Sequence, residues 1–211
     1  MFHPLLNDYA EKFTTPHDEL IAQIHRQATD THPQAHMLST HTQGKFLEFI
    51  SSIIQPKYIL EIGTFIGYSA ICLAKGLVPG GELHTLELRS EDANTALKNI
   101  TAVKMEKQIH LHVGNALDII PTLNYEWDLV FIDADKVSYT AYYEMVITRL
   151  SKKGIIIADN VLFHGEVLEE KITGKSAKAI QAFNQHVAND ERTQQVLVTM
   201  RDGLLLIKNN S

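Results

Sequence analysis

The feature that most constrains this chain lies between residues 58 and 160. Short runs rich in Ile, Leu and Val recur there, each followed by a segment of helical periodicity. The runs are YILEI (58–62), ELHTLEL (82–88), QIHLHV (108–113), WDLVFIDA (127–134) and GIIIADN (154–160). Strands this apolar fit a sheet covered on both faces, and alternation with helices points to parallel pairing through crossovers. The expected fold is α/β, with helices on both faces of a mostly parallel sheet. The C-terminus departs from that rhythm. A helix over 175–188 leads to QQVLVTM and GLLLIKN, with Arg201-Asp202 between them. Asp202-Gly203 is a strong turn signal, so the last two strands are expected to be antiparallel to one another. They bring the sheet to seven strands.

The chain reads as one domain over 1–211, with a helical extension over 1–55 and an α/β core over 56–211. Thr15 is expected to cap a helix that opens on Pro16 and runs to about residue 28. Residues 30–41 are polar and broken by Pro33, as in a loop or short helix. A helix over 42–54 places Phe46, Leu47, Phe49, Ile50, Ile53 and Ile54 on one broad buried face. Within the core, a helix spans 68–77 and Ser90 caps the next. A tyrosine-rich helix ends near residue 150, and a surface loop covers 162–175.

Composition narrows the class. With 211 residues and 45% hydrophobic content, a substantial core is available. The balance of 19 basic and 25 acidic residues, net −6, argues against a nonspecific nucleic-acid binder. The single cysteine, Cys72, excludes an intrachain disulfide and any multi-cysteine metal site, and packing explains it. No apolar run approaches the roughly 20 residues that span a bilayer. The start, MFHPLLNDYAEKF, lacks a leader pattern, so a soluble cytoplasmic protein is expected.

Chemistry-bearing residues gather where the strands end. EIGTFIGYS (61–69) is a strand–turn–helix junction in which Gly63 and Gly67 permit tight turning and close ligand approach. Its spacing is not Gly-x-Gly-x-x-Gly, so the dinucleotide fingerprint is missing. Glu61 would repel a pyrophosphate but attract a cationic amino-acid end. Glu87 suits ribose hydroxyls. Asn115 is either an adenine contact or a helix cap. FIDADK and IIIADN bring Asp133, Asp159 and Asn160 to neighbouring strand ends. Such hard oxygen donors suit Mg²⁺, Mn²⁺ or Ca²⁺. Lys136 can act as a base if a cationic, partly dry site lowers its pKa.

Together these segments resemble the cation-dependent, S-adenosylmethionine-dependent O-methyltransferases of the caffeoyl-CoA and catechol group. The resemblance runs from about residue 35 to the end. It rests on QGKFL (43–47), ILEIGTFIGYSAICLA (59–74), VGNALDIIP (113–121), WDLVFIDADKVSYTAYYE (127–144), GIIIADNVLFHGEV (154–167) and RDGLLL (201–206). It implies a Rossmann-like class I methyltransferase fold. It implies that Glu61, Gly63, Thr64, Phe65, Gly67 and Ser69 hold the methionine part of the cofactor. Glu87 would bind the ribose, with Asn115 and Ala116 at the adenine and Met37 lining the pocket. Asp133, Asp159 and Asn160 match the divalent-metal ligands, with Asp133 also beside the cofactor, and Lys136 matches the catalytic lysine. Two departures stand out: Asn115 where Asp is common, and Phe163 where Trp is common.

The implied reaction is methyl transfer to one of two adjacent hydroxyls chelated by the metal, with Lys136 helping to deprotonate the attacking oxygen. A homodimer and a small aromatic acceptor are expected. The alternative acceptor is a hydroxylated wobble uridine in tRNA, with Lys45, Lys98, Lys104 and Lys107 as its local positive charge. A nicotinamide-dependent oxidoreductase and a noncatalytic binding domain are the rivals from other classes. Tyr139, Tyr142 and Tyr143 are assigned to core or dimer packing rather than to the acceptor. His32, His36 and His41 lack metal spacing and read as loop residues. So does His164. His110 and His112 share one strand face and are assigned to packing or the solvent edge.

Overall fold

The computed structural model describes residues 5–210, so the first four residues of the expected extension and Ser211 lie outside it. Seven strands form one sheet in the order β3-β2-β1-β4-β5-β7-β6. They are β1 (Tyr58–Ile62), β2 (Glu82–Glu87), β3 (Ile109–Val113), β4 (Trp127–Ile132), β5 (Leu150–Asp159), β6 (Thr193–Val198) and β7 (Leu204–Asn209). The first five pair in parallel, and β7 pairs antiparallel with both β5 and β6. The Rossmann-like α/β fold that the resemblance implies, with its C-terminal antiparallel hairpin, is therefore present.

Alternation along each strand divides the interior in two. Leu60, Ile62, Val130, Ile132 and Ile156 face one way and join the buried side chains of α6 (Ala116–Ile119), α7 (Tyr139–Ile147) and α8 (Lys175–Ala188). Ile59, Leu83, Leu129, Phe131 and Ile157 face the other way. There they meet α2 (Glu19–Thr31), α3 (His41–Ile54), α4 (Tyr68–Ala74) and α5 (Ser90–Ala102). Covering both faces removes nearly every side chain of β1, β2 and β4 from water, which accounts for their apolar runs, whereas β6 at the sheet edge stays largely exposed.

Local details depart from the sequence expectations. The helix expected to open on Pro16 begins at Glu19 after Asp18, and an earlier helix, α1 (Leu6–Phe13), precedes it. Thr15 and Pro16 lie in the connection, because His17 is drawn inward to Tyr68 Oη at 2.9 Å. Ser90 is the first residue of α5 rather than its cap. Thr40 does cap α3, accepting from the Gln43 N–H at 3.3 Å. The buried stripe of α3 is narrower than expected: Leu47 is buried, whereas Phe49 and Ile53 are exposed. The inward stripe is Gln43, Gly44, Leu47 and Ser51, small enough to lie directly on α4. A Cβ on Gly44 would meet the Tyr68 ring at 2.4–2.7 Å. The β5 strand starts four residues before Gly154.

Candidate active site

The strand order reverses between β1 and β4, so their connections leave in opposite directions and open a crevice at the carboxyl ends. A cavity of about 420 Å³ lies there, walled by the segments following β1, β2, β3, β4 and β5. Gly63 is fixed by contact: its φ is +101°, and a Cβ would fall 1.9 Å from the Asp133 carbonyl oxygen. No other residue allows β1 and β4 to end so close together. Gly67, at φ +82°, then turns the chain into α4.

Glu87 closes this turn. Its Oε2 accepts the Phe65 N–H at 2.7 Å and its Oε1 accepts the Arg89 N–H at 2.9 Å. A carboxylate has about four lone-pair sites, so capacity remains for a ligand's hydroxyls. Thr64, Phe65 and Ser69 line the same end, with Ala116 beyond them and Met37 half exposed at the mouth. Asn115 lines the cavity too, but its Oδ1 accepts the Leu117 N–H at 3.1 Å. The helix-cap role is therefore formed through Oδ1, which leaves the Nδ2 donors of the amide for a ligand.

Glu61 lies beneath the cavity wall rather than on it. Its Oε2 accepts the Thr85 hydroxyl at 2.5 Å, while Oε1 has no hydrogen-bond partner among the described residues. Burial pushes its carboxyl up to about 8, against the opposing pull of the Ser69 and Thr85 hydroxyls. A fully buried carboxylate oxygen without a partner, beside a glycine turn, has the capacity to accept from a ligand's donor.

At the other end, three groups accept from one ammonium. Lys136 Nζ donates to Asp133 Oδ1 at 2.9 Å, Asn160 Oδ1 at 2.9 Å and Tyr139 Oη at 2.7 Å. The carbonyl oxygens of Ile132 and Asp159 accept from the Tyr139 hydroxyl. Asn160 adopts φ +58°, a left-handed conformation that Asn tolerates, and this turns its amide oxygen toward Lys136. Asp159 is fully buried behind this group. Its Oδ2 accepts Gln43 Nε2 at 2.5 Å and its Oδ1 accepts the Asn160 N–H at 2.7 Å. Burial, then the neighbouring Asp133, pushes its carboxyl up to about 7.

The side chains around Lys136 do not by themselves supply the lowered pKa on which its role as a base is conditional. Burial pulls its pKa down, but Tyr139 and Asp133 outweigh burial and hold it above the ordinary lysine value. Tyr139 belongs to this network as well as to the core, and Tyr142 lines the cavity while donating to Asp135 Oδ1 at 2.5 Å. Tyr143 packs against Phe183. The sequence assigns Gln43, Arg201 and Asp202 no site role, marking Arg201 and Asp202 only as a turn between strands. Arg201 reaches Gln43 Oε1 at 3.0 Å and the His36 carbonyl at 3.1 Å, while Asp202 accepts from Asn160 Nδ2 and the His164 N–H. His32, His36 and His41 go separate ways: His32 contacts Asp92, His36 lines the cavity and His41 packs on His17.

This geometry coincides with clear kinship. The family model described as O-methyltransferase matches residues 11–210. The chain belongs to the O-methyltransferase family. A catechol O-methyltransferase of Niastella koreensis is 39% identical over 163 residues, 75% of this chain and 73% of the relative. One from Mycobacterium tuberculosis is 38% identical over 160 residues, 74% of this chain and 72% of the relative. Among solved structures, an SAH-bound methyltransferase from Podospora anserina superposes with a TM-score of 0.93 at 25% identity, covering 100% of this chain and 98% of that one. An O-methyltransferase from Bacillus cereus in complex with SAH gives 0.89 at 29% identity, covering 97% of each. With the family settled, the oxidoreductase and noncatalytic readings fall away.

Proposed function

We propose that this O-methyltransferase transfers the methyl group of S-adenosylmethionine to one hydroxyl of a catechol-like small aromatic acceptor, assisted by a divalent cation, Mg²⁺ by preference. The observation that carries the reading is the convergence of Asp133 Oδ1 and Asn160 Oδ1 on a single cationic atom, in the cavity that also holds the glycine turn and Glu87. The donor set fits both groups. Two oxygens already surround a positive charge, and buried Asp159 adds a third hard ligand. The orphaned Glu61 oxygen suits the ammonium of the cofactor's methionine part.

Bound S-adenosylmethionine supplies an electrophilic methyl, and a bound divalent cation supplies a Lewis acid for phenolic oxygens. The chain's own residues do the rest. Gly63 and Gly67 let the backbone approach the cofactor, Glu61 faces its cationic end, and Glu87 accepts from its ribose. Ala116 and Asn115 flank the adenine, and Met37 covers the mouth. Asp133, Asp159 and Asn160 hold the cation. Tyr142 and Phe163 give the acceptor ring apolar walls. Lys136 meets the acceptor hydroxyl and stabilises its developing negative charge. Were a cation bound, Asp133 would be shared between it and Lys136, and Lys136 would be placed to take the hydroxyl proton at Nζ.

The test incubates purified protein with S-adenosylmethionine and Mg²⁺, and either a panel of catechols or tRNA bearing hydroxyuridine. Methylated catechols that disappear with EDTA support the proposal. Methylation confined to tRNA, or methylation that survives EDTA, contradicts it.

A further inference from the structure

The opposite end of β2 from Glu87 carries a second cluster. Glu82 and His84 on β2 and His110 on β3 project from one sheet face, and each offers a ligand atom within 4.8 Å of the other two. Glu82 Oε2 lies 3.4 Å from His84 Nε2 and 3.9 Å from His110 Nε2. The Tyr125 hydroxyl stands 3.3 Å from the same oxygen. These approaches are convergent, yet none is a tight hydrogen bond. Tetrahedral ligands bound at about 2.0–2.1 Å stand about 3.4 Å from one another, so the spacing is that of a coordination shell.

A further residue supports the arrangement. His84 Nδ1 and His112 Nε2 are 3.0 Å apart. With His84 Nε2 turned to an ion, Nδ1 carries the proton and donates to His112. That is the orienting contact ligating histidines normally have. His84 is almost fully buried, so its ring is held in place by these contacts rather than by solvent. No Lys or Arg among the described residues pairs with Glu82, in contrast to a second group of similar composition. There, Arg192 already binds both Glu144 and Asp190.

We propose that Glu82, His84 and His110 bind one borderline divalent ion of the zinc class, with His112 as a positioning residue and water completing the shell. Imidazole with one carboxylate selects Zn²⁺, Ni²⁺ or Cu²⁺ over Mg²⁺, so this site and the oxygen-lined cavity take different ions. The ion would clasp β2 to the edge strand β3.

Full-length protein without a histidine tag is titrated with Zn²⁺ against a chromophoric chelator, in millimolar Mg²⁺. The expected result is one tightly bound Zn²⁺ per chain. Glu82→Gln and His110→Ala each weaken it at least about tenfold, and His112→Gln does so to a lesser degree. Asp133→Asn leaves it unchanged. Co²⁺ in the same position gives the visible absorption of a four-coordinate nitrogen–oxygen site. Absence of Zn²⁺ binding, affinity unmoved by Glu82→Gln, or affinity lost in Asp133→Asn overturns the proposal. Glu82 is half exposed, so its isosteric variant decides the matter if His110→Ala fails to fold.

Discussion

Gln43 Nε2 donates to Asp159 Oδ2 at 2.5 Å, joining the first turn of α3 to the end of β5 across 116 residues. Both residues are fully buried, and Arg201 holds the far side of the Gln43 amide. The contact fixes which way a proposed metal ligand points. Gln43→Leu removes the donor and leaves a buried carboxylate oxygen short of a partner, at a cost of about 1–3 kcal/mol. A midpoint lowered by several degrees in thermal unfolding, with a raised Mg²⁺ requirement for turnover, is the expected outcome. An unchanged Mg²⁺ dependence would show that Asp159 is oriented without Gln43.

Lys136 donates to Asp133, Asn160 and Tyr139 at once, so its removal affects the acceptor end of the cavity and not the glycine turn. Lys136→Ala should reduce kcat by about 10²–10⁴. The dissociation constant for S-adenosylmethionine, measured by calorimetry, should change only a few-fold. A large affinity loss with normal turnover would contradict the assigned role.

Much of this site is legible in the chain because strand ends are local features. Asp133, Asp159, Asn160 and Glu87 each follow or end an apolar run, and parallel pairing brings such ends together. Gln43 is different. Its signal is a polar side chain on the inward stripe that also carries Leu47, which shows that a buried partner must exist but not that Asp159 is the partner. Arg201 and Asp202 read only as a turn between strands, because the β5–β7 pairing that sets them over Asn160 is antiparallel and long-range. The exposure of Phe49 and Ile53 was equally hidden: helical spacing groups apolar residues but does not say which side meets α4.

Glu61 links cofactor recognition to pH. Its folded-state pKa of about 8 lies above the ordinary glutamate value of about 4.5. Between those values the folded chain holds a proton that the unfolded chain has released. Stability from this group is therefore complete below about pH 4.5 and is lost as pH rises through about 8. Glu61→Gln abolishes that dependence, so the stability difference between variant and wild type should shift toward the variant by on the order of a few kcal/mol across the window. Urea unfolding of the ligand-free proteins from acid to mild alkali measures it. The same variant should bind S-adenosylmethionine more weakly, since the neutral amide cannot balance an ammonium. Parallel pH curves for the two proteins would rule out a buried, protonated Glu61.

Gly63 and Gly80 separate backbone strain from steric overlap. Both have positive φ, +101° and +77°, but a Cβ at Gly63 overlaps the Asp133 carbonyl, whereas one at Gly80 meets nothing within 4 Å. Gly80→Ala therefore carries only the left-handed penalty of about 1–2 kcal/mol. Gly63→Ala adds the cost of prising β4 from β1, and it displaces Asp133 from the site it shares with Asn160. Chemical denaturation should show the Gly63 variant clearly less stable than the Gly80 variant. Only the Gly63 variant should lose both S-adenosylmethionine binding and turnover. Equal destabilisation with activity retained in both would mean that the close approach of the two strand ends does not build the cavity.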